Sequence, residues 1–199
     1  MKIPKSYAIF EETIKGSRFL SELFPISSQE EVRQKIKEQK QKYADSTHVC
    51  HAFICGKNAE IMGMSDDGEP GGTAGRPMLD VLKGNDATNL LVTVTRWFGG
   101  TLLGTGGLVH AYGNGAKNVL LVADFEELVE KSDFSLACDY QQYKIIKKIF
   151  ENFTIYEVHE DFGELISISA RCAQTDFEVL KSKIFDATKG KTTLTKVSS

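Results

Sequence analysis

Long apolar runs are missing from this chain. The longest, Val119 to Ala123, falls far short of the roughly 20 residues that a membrane-spanning helix needs. Lys2, Lys5, Glu11, Glu12 and Lys15 interrupt the first residues, so an apolar secretion-signal core is not expected there. Cysteine is sparse: Cys50, Cys55, Cys138 and Cys172 form no C-x-x-C pair, which points to a reducing compartment and a cytoplasmic protein. An excess of positive charge is also missing. The formal net charge is −3, with 15 basic and 17 acidic side chains in residues 1–132 and 9 and 10 in residues 133–199. Neither part is a generic polyanion binder, and nucleic-acid affinity would require a local basic patch.

Several catalytic signatures are lacking too. No G-K-[ST] follows the glycines, which disfavours nucleotide triphosphate hydrolysis, and no spaced G-x-G-x-x-G marks a dinucleotide turn. No nucleophile elbow supports Ser–His–Asp chemistry. Internal repeats and low-complexity segments do not occur. At 41% hydrophobic and 26% charged residues, the chain has the composition of a soluble globular protein.

What it does have is glycine in one place. Thirteen of its 17 glycines lie between Gly63 and Gly115. They flank two strings, residues 66–77 (DDGEPGGTAGRP) and residues 96–107 (RWFGGTLLGTGG). Glycine loses the most backbone entropy on folding, so such density implies positive φ or close approach to something.

The spacing predicts two α+β domains, residues 1–132 and 133–199. In the first, strands are expected over 7–14, 17–26, 48–55, 60–65 and 90–95. Ser28-x-x-Glu31 reads as a capping box opening a helix with Val32, Ile36 and Tyr43 inward. Pro77 suits the first turn of a short helix to about Lys83. A further helix is expected from about Leu108 to Ala123, where Ala111, Gly115 and Ala116 permit close approach to a sheet. In the second domain, Phe134, Leu136 and Cys138 alternate as a strand, and Asp139 caps a helix carrying Tyr143, Ile146, Ile149, Phe150 and Phe153. Strands over 154–159 and 164–171 follow, then a helix opened by a Thr175-x-x-Glu178 box, and a last strand over 192–197. The order β-α-β-β-α-β is ferredoxin-like.

The strings carry the candidate ligand-binding residues: His48, Asp66, Asp67, Glu69, Arg76, Arg96, Gly99, Gly100, Thr101, Gly104, Thr105, Gly106 and Gly107. Consecutive glycines can turn several N–H groups into one concavity, and Gly104-x-Gly106-Gly107 runs into a helix start, a suitable anion cradle. Arg96, just beyond a strand end, and Arg76, just before a helix, could fork onto phosphate or carboxylate. The bland alternative is that both pair with Asp66, Asp67 or Glu69. Those carboxylates could instead hold Mg²⁺, although Asp and Gly also fill turns for conformational reasons. No metal and no cofactor is expected. On a strand, His48 and Cys50 face one side and His51 the other, so they cannot converge on zinc or form a thiol–imidazole pair unaided. Basic faces (Arg33, Lys37, Lys40; Lys144, Lys147, Lys148) read as solvated unless they align into a track.

The two strings, the second continued as RWFGGTLLGTGGLVHAYG, together with Ala44–Ala52 (ADSTHVCHA) upstream, closely resemble the IMPACT family, in particular its bacterial YigZ-type members. The likeness covers essentially the whole chain. It departs at Gly71, where relatives commonly have Ser, and at Trp97, where many have Tyr. The resemblance implies an N-terminal domain like domain IV of elongation factor G and a C-terminal one like its domain V. Eukaryotic members modulate a starvation-sensing translation kinase by competing for its activator and carry a different N-terminal domain, so that role is not expected to transfer. For bacterial members it implies nucleic-acid or ribosome-related binding. The expectation is a non-catalytic protein binding RNA, the ribosome or translation factors, with Arg76, Arg96 and the Gly99–Gly107 segment on phosphate or acidic groups. Two rivals stay open: a metal-assisted hydrolase or other enzyme on a small phosphorylated or carboxylated substrate, and a protein-binding regulator using Trp97 and Phe98.

Overall fold

The computed structural model describes residues 1–197. The chain is α+β and divides into two compact units, Met1–Leu128 and Val129–Ser199. In the first, strands β1 (Lys2–Pro4) and β7 (Phe125–Glu127) form a small ribbon. The remaining strands are β2 (Ala8–Ile14), β3 (Ser17–Pro25), β4 (His48–Cys55), β5 (Ile61–Ser65) and β6 (Leu90–Trp97), in the order β2-β3-β6-β4-β5 with every neighbouring pair antiparallel. Helices α1 (Gln29–Lys42), α2 (Gly75–Lys83) and α3 (Gly104–Val122) complete the unit.

Strand β6 is central and buried on both faces, as its composition predicts. Alternation sends Leu90, Val92 and Val94 into a core with Phe19, Leu23, Ala52 and Ile54 of the sheet and Met78, Leu82, Tyr112 and Val119 of α2 and α3. Leu91 goes to the opposite face, where Phe53, Cys55, Val32 and Ile36 form a smaller cluster under α1. Helix α3 lies close to the sheet: a Cβ on Gly115 would come 2.6 Å from Ser21 Oγ.

The second unit runs β8 (Lys131–Cys138), α4 (Tyr140–Phe150), β9 (Ile155–Phe162), β10 (Ile166–Ala173), α5 (Phe177–Ala187) and β11 (Thr195–Lys196). Its sheet order β11-β8-β10-β9, antiparallel throughout, is the ferredoxin-like arrangement. Phe134, Leu136, Ile166 and Ile168 meet Ile146, Phe150, Leu180 and Ile184 of the helices.

Local departures from expectation have physical causes. The expected boundary at Ser132 falls inside β8. Ser28 caps α1 through Glu31 N, but the Glu31 carboxylate turns to Ser27 N and Oγ, so the box is half-made. Asp139 and Gln142 form a full capping box on α4. Thr175 caps nothing: Gln174–Asp176 make a 3₁₀ turn that leads directly into α5. Strand β6 runs on to Trp97 because Arg96 and Trp97 stay in register with β3. Helix α3 opens at Gly104, so Gly104, Gly106 and Gly107 form its first turn and not a preceding loop. All four cysteines are free. Among the described residues no helix is long and apolar enough to cross a membrane.

Candidate functional site

Strand β5 ends at Ser65, and the first glycine string leads from there to α2. Helix α2 is preceded by Ala74, which has no side chain to cap it. Asp66 does this work instead. Its Oδ1 accepts from Ala74 N (3.0 Å) and Gly75 N (2.8 Å), and its Oδ2 from Gly72 N (2.8 Å). Burial opposes ionisation of Asp66, but the three backbone donors outweigh it and hold the carboxyl below its usual range. Gly75 must be small, since a Cβ there would stand 2.9 Å from the Ser65 backbone.

Asp67 turns the chain at φ 44°. Its Oδ2 accepts from Val49 N (2.7 Å), and its other oxygen is paired with Lys40 Nζ of α1. The Asp67 carbonyl lies 2.7 Å from His48 Nδ1. A carbonyl only accepts, so Nδ1 carries the proton and Nε2 faces Glu69 Oε2 at 3.9 Å.

Glu69 is the buried centre of the site. Its Oε1 accepts from Arg96 Nη1 and from Tyr112 Oη, each at 2.7 Å. The side chains of Glu69 and Arg96 are only 3% and 6% exposed. Arg96 Nη2 reaches Ser17 Oγ at 3.5 Å, and Nε has no partner. Its guanidinium carbon sits 5.5 Å from the ring centroids of both Phe19 and Phe98.

The second string leaves β6 under tight control. Phe98 N donates to Thr47 Oγ1 (3.0 Å) and Gly99 N to Ser17 Oγ (3.1 Å). A Cβ on Gly99 would fall 1.9 Å from the Gly16 carbonyl carbon, so only glycine fits that crossing. Beyond it, Leu102 is 81% exposed. Helix α3 begins with no side chain capping it, and its first-turn N–H groups present the positive end of the helix.

Between these parts lies a cleft of about 460 Å³. It is lined by Thr47, His48, Gly68, Glu69, Pro70 and Arg96 together with Phe98, Leu102, Leu103, Gly104, Thr105 and Leu108. Of the residues singled out from sequence, it unites His48, Glu69, Arg96, Gly104 and Thr105. Asp66 and Asp67 support it from behind. Gly99, Gly100, Thr101, Gly106 and Gly107 lie outside the lining, and so does Arg76, which bonds Asp80 one turn along α2 at 3.0 Å. Sequence reasoning missed the apolar wall of Leu102, Leu103, Leu108 and Pro70. Its one signal was an apolar pair, Leu102–Leu103, stranded between glycines.

The donor set shapes the chemistry. The three carboxylates proposed for Mg²⁺ do not converge: Asp66 serves α2, Asp67 serves β4 and Lys40, and Glu69 serves Arg96 and Tyr112. No cluster of metal-ligating side chains forms among the described residues. Burial pushes the Cys50 thiol up to about 12, and its Sγ donates to Asp66 O, so it is no nucleophile at neutral pH. Arg96 and Glu69 neutralise each other, leaving the α3 end as the net positive feature. In the second unit, a hollow of about 480 Å³ is lined largely by small side chains such as Ser135, Ser167, Ser169 and Thr195.

Comparison with known proteins follows the same division. The Impact N-terminal domain matches residues 15–120, and a domain of unknown function, DUF1949, matches residues 136–191. An IMPACT family member from Haemophilus influenzae is 37% identical over 191 residues, covering 95% of this chain and 93% of that one. IMPACT family member YigZ from Escherichia coli is 32% identical over 185 residues, covering 86% and 91%. A crystal structure described as that of a hypothetical protein superposes over 100% of this chain and 97% of its own, with TM-score 0.70 at 29% identity.

Proposed function

Because this chain belongs to the IMPACT family, we propose that it is a non-catalytic docking protein of the translation machinery, and that its partner enters the cleft between the two glycine strings. The observation that supports this is the pairing of an apolar wall with the uncapped start of α3. Such a cleft suits a group with an apolar body and a single negative charge at one end. The partner is a translation factor, a ribosomal protein or RNA, as the family resemblance implies for bacterial members.

Charge favours a protein surface over bare RNA. Phosphate tracking needs several clustered cations, whereas Arg96 is matched by Glu69, Arg76 by Asp80, and Lys40 by Asp67. Lys147 on α4 is likewise engaged by Glu160. Enzymatic readings lose support because the carboxylates and the thiol that would act are committed to structural bonds.

Binding of the purified protein to ribosomes, to ribosome-free extract proteins and to total RNA across a salt series tests the proposal. Thr105→Glu is the informative variant. Thr105 is exposed in the first turn of α3, where a carboxylate favours the helix but repels an anionic partner. Loss of ribosome or factor binding with unchanged melting supports docking at the cleft. Undiminished binding of both Thr105→Glu and Leu102→Asp overturns it. RNA binding that falls steeply with salt, with a slope of about one per phosphate contact, would replace the protein partner with nucleic acid.

A further inference from the structure

An edge strand presents a row of unpaired N–H and C=O groups, and soluble proteins blunt such edges with charge, proline or bulges. Six strands of this chain lie at a sheet edge or in the small ribbon. Five of them are blunted. Strand β1 carries Lys2 and Pro4, β7 Glu126 and Glu127, β2 Glu11 and Glu12, and β11 Lys196. Strand β9 carries Glu157, Glu160 and Asp161, and its pairing with β10 shifts at a bulge. Strand β5 has none of these devices. Its five residues, Ile-Met-Gly-Met-Ser, are uncharged, lack proline and pair with β4 without a break.

The side chains of β5 divide by alternation. Gly63 lies opposite Phe53, whose ring would stand 2.4 Å from a Cβ on Gly63, so the α1 side of the strand is already filled there. Met62 and Met64 point to the other side, level with Ile54 and Ala52. They are 42% and 45% exposed, and Ile61 is 39% exposed. Large apolar side chains thus occupy three of five positions on an edge that pairs with no further strand among the described residues.

We propose that β5 is a self-association edge: two copies of this chain pair β5 to β5, antiparallel, about a two-fold axis at Gly63. The strand's own order selects a second copy as the occupant. A two-fold contact must be self-complementary, and Ile-Met-Gly-Met-Ser reads nearly the same in both directions. With Gly63 facing its counterpart, Met62 stands opposite the partner's Met64, and Ile61 opposite the partner's Ser65. Four thioether side chains then meet on one face of a continuous sheet, where methionine adapts readily to its neighbours. The same register sets Glu60 opposite the partner's Asp66, but both carboxylates are engaged in their own loops. Glu60 Oε2 accepts from Asn58 N at 2.9 Å, and Asp66 is held by its three amides. A contact one strand long falls below the roughly 1,200 Å² of standard interfaces, so the association is reversible and concentration-dependent. It does not depend on the cleft.

Sedimentation equilibrium of the full chain, from micromolar to near-millimolar concentration, tests this. The average mass is expected to rise from that of the monomer toward twice that value. Met64→Lys should abolish the rise and leave Tm unchanged, because a half-exposed lysine there charges the edge without entering the core. Cross-linking checks the register. Met62→Cys and Met64→Cys chains, mixed and oxidised, should form a covalent dimer that neither variant forms alone; the four native cysteines are buried. A monomer at every concentration overturns the proposal, and so does a dimer that survives Met64→Lys. Cross-linking within either single variant as readily as in the mixture overturns it too.

Discussion

Tyr112 and Arg96 converge on a single oxygen: Glu69 Oε1 accepts from both at 2.7 Å, in a pocket where all three side chains are almost wholly buried. This node ties the first string, through Glu69, to β6 and to α3. Removing the carboxylate charge leaves a guanidinium buried without its counterion. Glu69→Gln is expected to cost about 3–5 kcal/mol, the range for breaking a buried pair from one side. Tyr112→Phe, which removes one donor only, should cost about 1–2 kcal/mol. Urea denaturation of each variant, and of the double variant, checks both values and their coupling.

Asp66 should behave as the cap of a helix that has none of its own. Asp66→Ala is expected to lose about 1–2 kcal/mol and to raise hydrogen exchange at Gly72, Ala74 and Gly75. The folded carboxyl titrates below its ordinary value. Its contribution is therefore complete above about pH 4 and disappears as pH falls through the folded value. Hydrogen exchange at those three amides, followed against pH, reads this out.

His51 works in the same direction on a separate, higher pH window. Burial, assisted by the Lys40 charge and opposed by Asp67, pulls its imidazole down to about 4 from an ordinary 6.5. Between those values the unfolded chain takes up the proton and the folded one does not. Stability is full above pH 6.5 and declines as pH drops toward 4, by up to about 3 kcal/mol. Chemical denaturation at intervals across that window should show the decline, and His51→Gln should flatten it. An unchanged slope in the variant would assign the acid sensitivity elsewhere.

Two glycines of the second string should separate close approach from backbone conformation. Gly99→Ala drives a Cβ into the Gly16 backbone and is expected to displace the string, with a large fall in Tm and lost partner binding. Gly100 has open space around it but sits at φ 85°. Gly100→Ala should cost only about 1–2 kcal/mol and leave the cleft usable. Melting curves and partner binding of the two variants check the contrast.

The strands and helices were largely legible because their signals are local. His48–Cys55 is a strand over its full predicted length, and Asp139 announces α4 by its chemistry alone. The ferredoxin-like order followed from the succession of such elements. The site was less legible. Arg96 was readable either as a ligand fork beyond a strand end or as the partner of Asp66, Asp67 or Glu69; continued pairing with β3 and β4 keeps it in the ladder and turns it onto Glu69, 27 positions away. No local pattern encodes that distance in space. Arg76 looked like a second ligand fork, although Asp80 four residues on was a sufficient i,i+4 partner. The buried polar residues on the α1 side of the sheet were illegible for a related reason. Glu22, Thr93 and His51 lie on three different strands, and only the register brings them together.

Two helices in the first unit begin beside glycine-rich chain, and they are finished differently. At α2 the protein supplies its own carboxylate, which gathers three amides at once. At α3 no side chain plays that part. If the proposed partner engages α3, Asp66 at α2 shows what such an engagement requires: a carboxylate oxygen pair that accepts from several backbone amides at once.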